Sequence, residues 1–312
     1  MKNKLTETKF KSALGLTCHL ISRAVCFGAV ILICSSAAAQ NLFVSARDDS
    51  GGKILKFTWD GVQSTRASGL RQPQGLAFDS AGNLFVTDLG TGVIGSVIYK
   101  FKPTGVARSI FASGLDFPID LAFDRTGNLF VADYGSGRIY KLKPDGARTI
   151  FASLSAPEGL AFDSAGNLFV GETYTGNIYK YTPDGVRSSF ASGFIGGIDL
   201  AFDGAGNLFV SGRVPGSLSN NVYKFTPDGV RTLFASGMFA PASLAFDYRG
   251  NLFVVDLGLT EAPSAIYEFK PDGSRSTFAK GEPSNDPSLD FNHLAFQPIA
   301  TLPPPPPAPR GE

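Results

Sequence analysis

One tetrapeptide, Asn-Leu-Phe-Val, occurs six times in the 312-residue chain, starting at Asn41, Asn83, Asn128, Asn167, Asn207 and Asn251. The spacings are 42, 45, 39, 40 and 44 residues, so the chain is an array of near-equal units rather than one irregular domain. Ahead of the last five tetrapeptides stands Leu-Ala-Phe-Asp, at Leu76, Leu121, Leu160, Leu200 and Leu244, and an altered sixth copy follows the last unit at Leu294–Gln297. Behind it comes an Ile-Tyr-Lys-Phe-like run, from Ile54, Ile98, Ile139, Ile178, Val222 and Ile266. A more polar fourth run ends around Ala67, Phe111, Phe151, Phe190, Phe234 and Phe278.

Four short strands per unit at this period predict an all-β, six-bladed β-propeller of four antiparallel strands per blade. The unbroken apolar runs suit strands covered on both faces. The array starts on a second strand, at Asn41, and ends on a first strand, at Leu294. The C-terminal strand is therefore expected to join the N-terminal blade and close the ring. Asp-x-x-Gly-Asn and Pro-Asp-Gly supply the recurring turns, through Asx capping and glycine at positive φ. Arginines recur at 108, 148, 187, 231 and 275 on the outer strand, where charge discourages edge-to-edge pairing.

The flanks differ. Residues 1–39 read as a signal peptide, with a lysine-rich start, an apolar stretch from Ala24 to Cys34, and small residues up to Ala39. The expected domains are thus the signal (1–39), the propeller (40–300) and a proline-rich disordered tail (301–312). All three cysteines lie in the signal, which leaves an exported chain, secreted or periplasmic, without thiol chemistry. A formal net charge of +1 argues against a nucleic-acid partner. No membrane association is expected once the signal is cleaved, and the propeller is expected to be a monomer.

The Leu-Ala-Phe-Asp-x-x-Gly-Asn-Leu-Phe-Val unit, followed by Ile-Tyr-Lys-Phe-x-Pro-Asp-Gly, resembles the NHL repeat and the wider SMP-30/gluconolactonase-like propellers. The resemblance spans about residues 41–297 and implies the fold. It leaves function open between binding scaffolds and enzymes.

Variation is concentrated in the second-to-third loops and blade-to-blade links, which share one face, so the site is sought at the channel mouth there. Residues opening the innermost strands should ring that mouth: Gln74, Asp120, Glu158, Asp199, Asn292 and His293. Asp120, Glu158 and Asp199 come from consecutive blades, and convergent carboxylates raise one another's pKa or recruit a cation. Pro157-Glu158-Gly159 matches one ligand box of the SMP-30 group, whereas Asn292 lacks the flanking residues and no third box exists. Two expectations follow. One is a binding module for a protein, peptide or glycan, needing no cofactor. The other is a lactonase with calcium or magnesium held by Glu158, Asp199 and Asn292. Asp88, Asp133, Glu172 and Asp256, after the second strand, are expected to tie down the loop that follows.

Overall fold

The structure is a computed structural model that describes residues 40–48, 50–90, 95–217, 219–258, 263–281 and 290–299. The signal and the proline-rich tail lie outside the described residues. Six four-stranded antiparallel sheets make up the fold, and five of them are consecutive in sequence. Their innermost strands are Pro73–Phe78, Pro118–Phe123, Pro157–Phe162, Leu200–Phe202 and Pro241–Phe246, which open blades two to six. Blade one is composite. Its strands Leu42–Asp48, Gly51–Phe57 and Gln63–Leu70 are completed by Asp290–Phe296, with Leu42 opposite Phe296 and Val44 opposite Leu294. The ring therefore closes as the repeat count requires.

The turns explain why blades two to six have the same corner. Asp163 Oδ1 accepts from the N–H groups of Ala165 (2.9 Å) and Asn167 (2.8 Å), while Asn167 Nδ2 donates to Oδ2 (2.7 Å). Gly166 completes this turn at φ 84°, which a side chain would resist. The same bonds recur around Asp79, Asp124, Asp203 and Asp247.

The outer strands run past the phenylalanines that seemed to end them, as in Arg108–Leu115 and Arg231–Met238. The reason is a β-bulge. The register slips between Ile98/Tyr99, and Phe111 is the extra residue, since Ala112 pairs with Ile98 and Ile110 with Tyr99. A bulge re-aims the side chain it carries. Phe111 meets Phe85 edge-on at 4.9 Å, and Phe85 in turn meets Phe123 of the next blade at 5.0 Å. The pattern repeats at Phe130, Phe169, Phe209 and Phe253, the last reaching Phe296 of the closing strand. In blade one the bulged residue is Arg66, and its guanidinium lies over Phe101 of blade two instead.

The core is consequently a set of wedges between blades rather than one central mass. The outer arginines fasten these wedges at the rim. Arg108 stacks on Tyr99 of its own blade and donates to Ser68 O (3.0 Å) and Gly69 O (2.9 Å) of the preceding one. Arg148 does the same with Tyr140, Ser113 and Gly114.

Candidate functional site at the channel mouth

Two successive positions open each innermost strand, and a strand sends them to opposite sides. The first carries Gln74, Ile119, Glu158, Ala242 and Asn292, and these line a cavity of ≈ 360 Å³ on the loop face. His293 also borders it. The second position carries Gly75, Asp120, Gly159, Asp199, Ser243 and His293, and the side chains of Asp120, Asp199 and Ser243 accept from the next blade.

Asp120 and Asp199, expected at the mouth, hold this second position and do not line the cavity. Asp120 is buried in the seam between blades three and four, where Oδ2 accepts from Leu160 N (2.8 Å) and Oδ1 from Leu121 N (2.7 Å). Asp199 Oδ2 accepts from Leu244 N of blade six at 2.6 Å, and Ser243 Oγ accepts from Leu294 N of blade one at 3.3 Å. Where the position is glycine the blades touch directly: Gly159 N donates to Ile198 O at 3.0 Å. A Cβ on Gly159 would lie 2.4 Å from that oxygen, and one on Gly75 would lie 2.5 Å from Ile119 O. Carboxylate spacers thus alternate with glycine contacts from blade two to blade five.

Burial without a counter-cation shapes the electrostatics. Desolvation pushes the Asp120 carboxyl up to about 7 against its backbone hydrogen bonds, and the Glu158 charge adds to the rise. Asp199 is held well above the usual carboxylate range by burial first and then by the Asp120 charge. Glu158 is raised by burial, opposed by the Thr173 hydroxyl, which donates to Oε2, and by the Ile198 backbone. Burial lowers the His293 imidazole to about 4.

Of the three expected metal ligands, the cavity receives Glu158 and Asn292 but not Asp199. Asn292 Nδ2 is committed to Pro73 O at 3.0 Å. Among the described residues no three of His, Cys, Asp and Glu are placed to hold one metal ion. Calcium takes six to eight oxygens and magnesium a near-ideal octahedron. Among the described residues, the side chains as placed do not make a divalent-cation centre.

The acidic residues after the second strands tie down the preceding blade-to-blade link. Asp88 accepts from Arg71 N (3.0 Å) and Gln72 N (2.7 Å), Asp133 from Asp116 N (2.8 Å), and Glu172 from Ser155 N (2.6 Å). Asp256 accepts from Phe239 N (2.9 Å) and Ala240 N (2.7 Å). The reason is register. Each stands opposite the proline that opens its own blade, as Asp88 faces Pro73, so its carboxylate reaches the segment just before that proline.

A feature missed in the sequence lies on the same rim. Phe117 has φ 61°, the one positive φ outside glycine among the described residues, and the residue is 48% exposed. Its ring stands 6.5 Å from the ring of Tyr134, which lies 6.0 Å from that of Tyr174, itself 72% exposed. The Tyr134 hydroxyl is pushed up to about 12 by its hydrogen bond with Tyr174, then by burial, with the nearby Tyr174 and Glu158 charges adding. The equivalents of Phe117 and Tyr134, which share the Tyr134 N to Phe117 O bond, are Gln72 with Leu89, Ala156 with Thr173, and Ala240 with Leu257. Departure from the repeat at matched positions was the available signal.

No protein-family model and no curated protein sequence matches the chain. Solved structures do. A chain of the nidogen/laminin complex superposes with a TM-score of 0.68 at 19% identity, over 84% of this chain and 100% of that one. TolB from Acinetobacter baumannii gives 0.66 at 15% identity, over 83% and 67%. A gluconolactonase from Xanthomonas campestris gives 0.61 at 16% identity, over 80% and 87%. The chain is a six-bladed β-propeller, and its resemblance to NHL and gluconolactonase-like propellers holds at the level of fold. The scaffold serves both binding and lactonase proteins. No helix among the described residues is long and apolar enough to cross a membrane.

Proposed function

We propose that this chain is an exported, monomeric, non-catalytic binding module that takes a protein, peptide or glycan ligand on its loop face, over the channel mouth. The observation that carries the reading is the division of labour among the acidic residues. Asp120 and Asp199 each give one oxygen to a backbone N–H of the neighbouring blade, which leaves Glu158 as the carboxylate of that sector opening on the cavity. Beside it stands an exposed aromatic row, the kind of surface that anchors partners. The lactonase reading keeps one observation in its favour, Glu158 in its Pro-Glu-Gly box with a raised pKa.

Peptide and glycan arrays probed with the full chain, with Tyr174→Ser, and with Trp59→Ser on the opposite face test the proposal. Ligands lost in the first variant and kept in the second support it. Lactone turnover with calcium or magnesium, abolished by Glu158→Gln, overturns it. N-terminal sequencing after expression with residues 1–39 intact tests export, for which a mature start at Gln40 is expected.

A further inference from the structure

We propose that the sector of the mouth shared by blades three and four binds an organic ammonium group, such as a lysine side chain or a quaternary amine carries. This rests on the binding-module reading and deepens it.

Three aromatic rings meet there at steep angles, 51° between Phe117 and Tyr134 and 64° between Tyr134 and Tyr174. The outer two, Phe117 and Tyr174, are exposed, and an exposed aromatic face attracts alkylammonium ions because it carries the negative lobe of the ring's quadrupole. The row is tied to Glu158 through the chain, since Thr173, whose hydroxyl donates to Oε2, immediately precedes Tyr174. Glu158 lines the cavity on the other side of that contact.

Charge selects the ligand. Among the described residues Glu158, the carboxylate of this sector that opens on the cavity, forms no ion pair. Arg138, at the mouth end of its strand in blade three, is turned to the Tyr140 hydroxyl at 3.2 Å. A neutral saccharide can stack on Tyr174 but leaves the Glu158 carboxylate without a counter-charge. An ammonium supplies one and uses the aromatic faces as well. The sector is also peculiar to this place in the ring, because the equivalent rim positions of blades two and six hold Gln72, Leu89, Ala240 and Leu257.

Calorimetric titration of the full chain with tetramethylammonium, N-acetyl-lysine methylamide and 3,3-dimethylbutanol provides the test. The alcohol matches a quaternary amine in shape without its charge. Binding of the amines, with the alcohol at least about tenfold weaker, is expected. Preference for the lysine amide over tetramethylammonium assigns the group to a peptide, and the reverse to a small free amine. Glu158→Gln and Tyr174→Ser should each weaken binding about tenfold with the far-ultraviolet dichroism and melting transition retained. Phe117→Gly, which removes a ring while easing the backbone, serves as the variant least able to unfold the site.

Equal binding of alcohol and amines, no binding of either, or unchanged affinity in the variants overturns the proposal. Maltose or another glycan bound at the mouth and lost in Tyr174→Ser overturns the ammonium assignment but leaves the binding-module reading standing.

Discussion

Replacing Asp120 by asparagine removes a titrating group from the seam between blades three and four at almost constant size. In the native ring its carboxyl is raised from 3.8 to about 7, mainly because burial disfavours the charged form. A carboxyl with a raised folded pKa contributes stability that is complete below the unfolded value and is lost as pH climbs to the folded one. Here the window runs from about pH 4 to about pH 7, and the loss is about 4 kcal/mol. Asparagine does not titrate, but it offers one acceptor where Leu121 N and Leu160 N use two. That costs about 1–3 kcal/mol at any pH. The variant should therefore be less stable than the native chain near pH 4.5 and equal or superior at pH 7.5. Urea unfolding followed by far-ultraviolet dichroism at both values reads the crossing. The difference between the two proteins is the quantity to follow, because His293 opposes Asp120 in the native curve. With its pKa lowered from 6.5 to about 4, the imidazole contributes about 3 kcal/mol that is gained as pH rises through that interval. A deficit for Asp120→Asn that stays constant within about 1 kcal/mol from pH 4.5 to 7.5 refutes the account of the seam.

Gly159→Ala should lower stability by about 2–3 kcal/mol, since its Cβ meets the backbone of Ile198 and Asp199, whereas Gly204→Ala, with nothing within 4 Å, should change the melting temperature little. Thr87 carries a buried hydroxyl without a partner among the described residues, so Thr87→Val is expected to stabilise the fold by about 1 kcal/mol in a urea titration. Phe169→Ala removes the ring that touches both Phe190 and Phe202 and should cost about 3–5 kcal/mol by the same measurement. Ending the chain after Lys280 removes the innermost strand of blade one, and the truncated protein should melt broadly and well below the full chain in calorimetry.

The ring was legible because its information is repeated: six copies of Leu-Phe-Val and a first strand left for last fix blade number and closure together. The bulge was not, since Phe111 and Ile110 are equally plausible inward residues until the register is known. At the mouth, sequence singled out the two positions that open each innermost strand, and the alternation of a strand separated Glu158 from Asp120 and Asp199. It did not assemble Phe117, Tyr134 and Tyr174, which are 57 residues apart from first to last and meet only because consecutive blades are adjacent. The turn face is also less uniform than the repeats suggest. Trp59 replaces the turn proline in blade one, and Tyr248-Arg249 replace small residues in blade six. All three border one small pocket at the closing seam.

Closure by a strand from the other end of the chain also sets an order of events in folding. Val44 pairs with Leu294, so this contact needs both ends of the propeller and is the last that synthesis makes available. Until then five complete blades and a three-stranded sixth stand in an open arc, with Leu42–Asp48 presenting an unpaired edge. The closing strand of another copy carries the same Leu-Ala-Phe and fits that edge equally well. Concentrated refolding therefore favours exchange of this strand between chains, whereas dilute refolding favours the single ring.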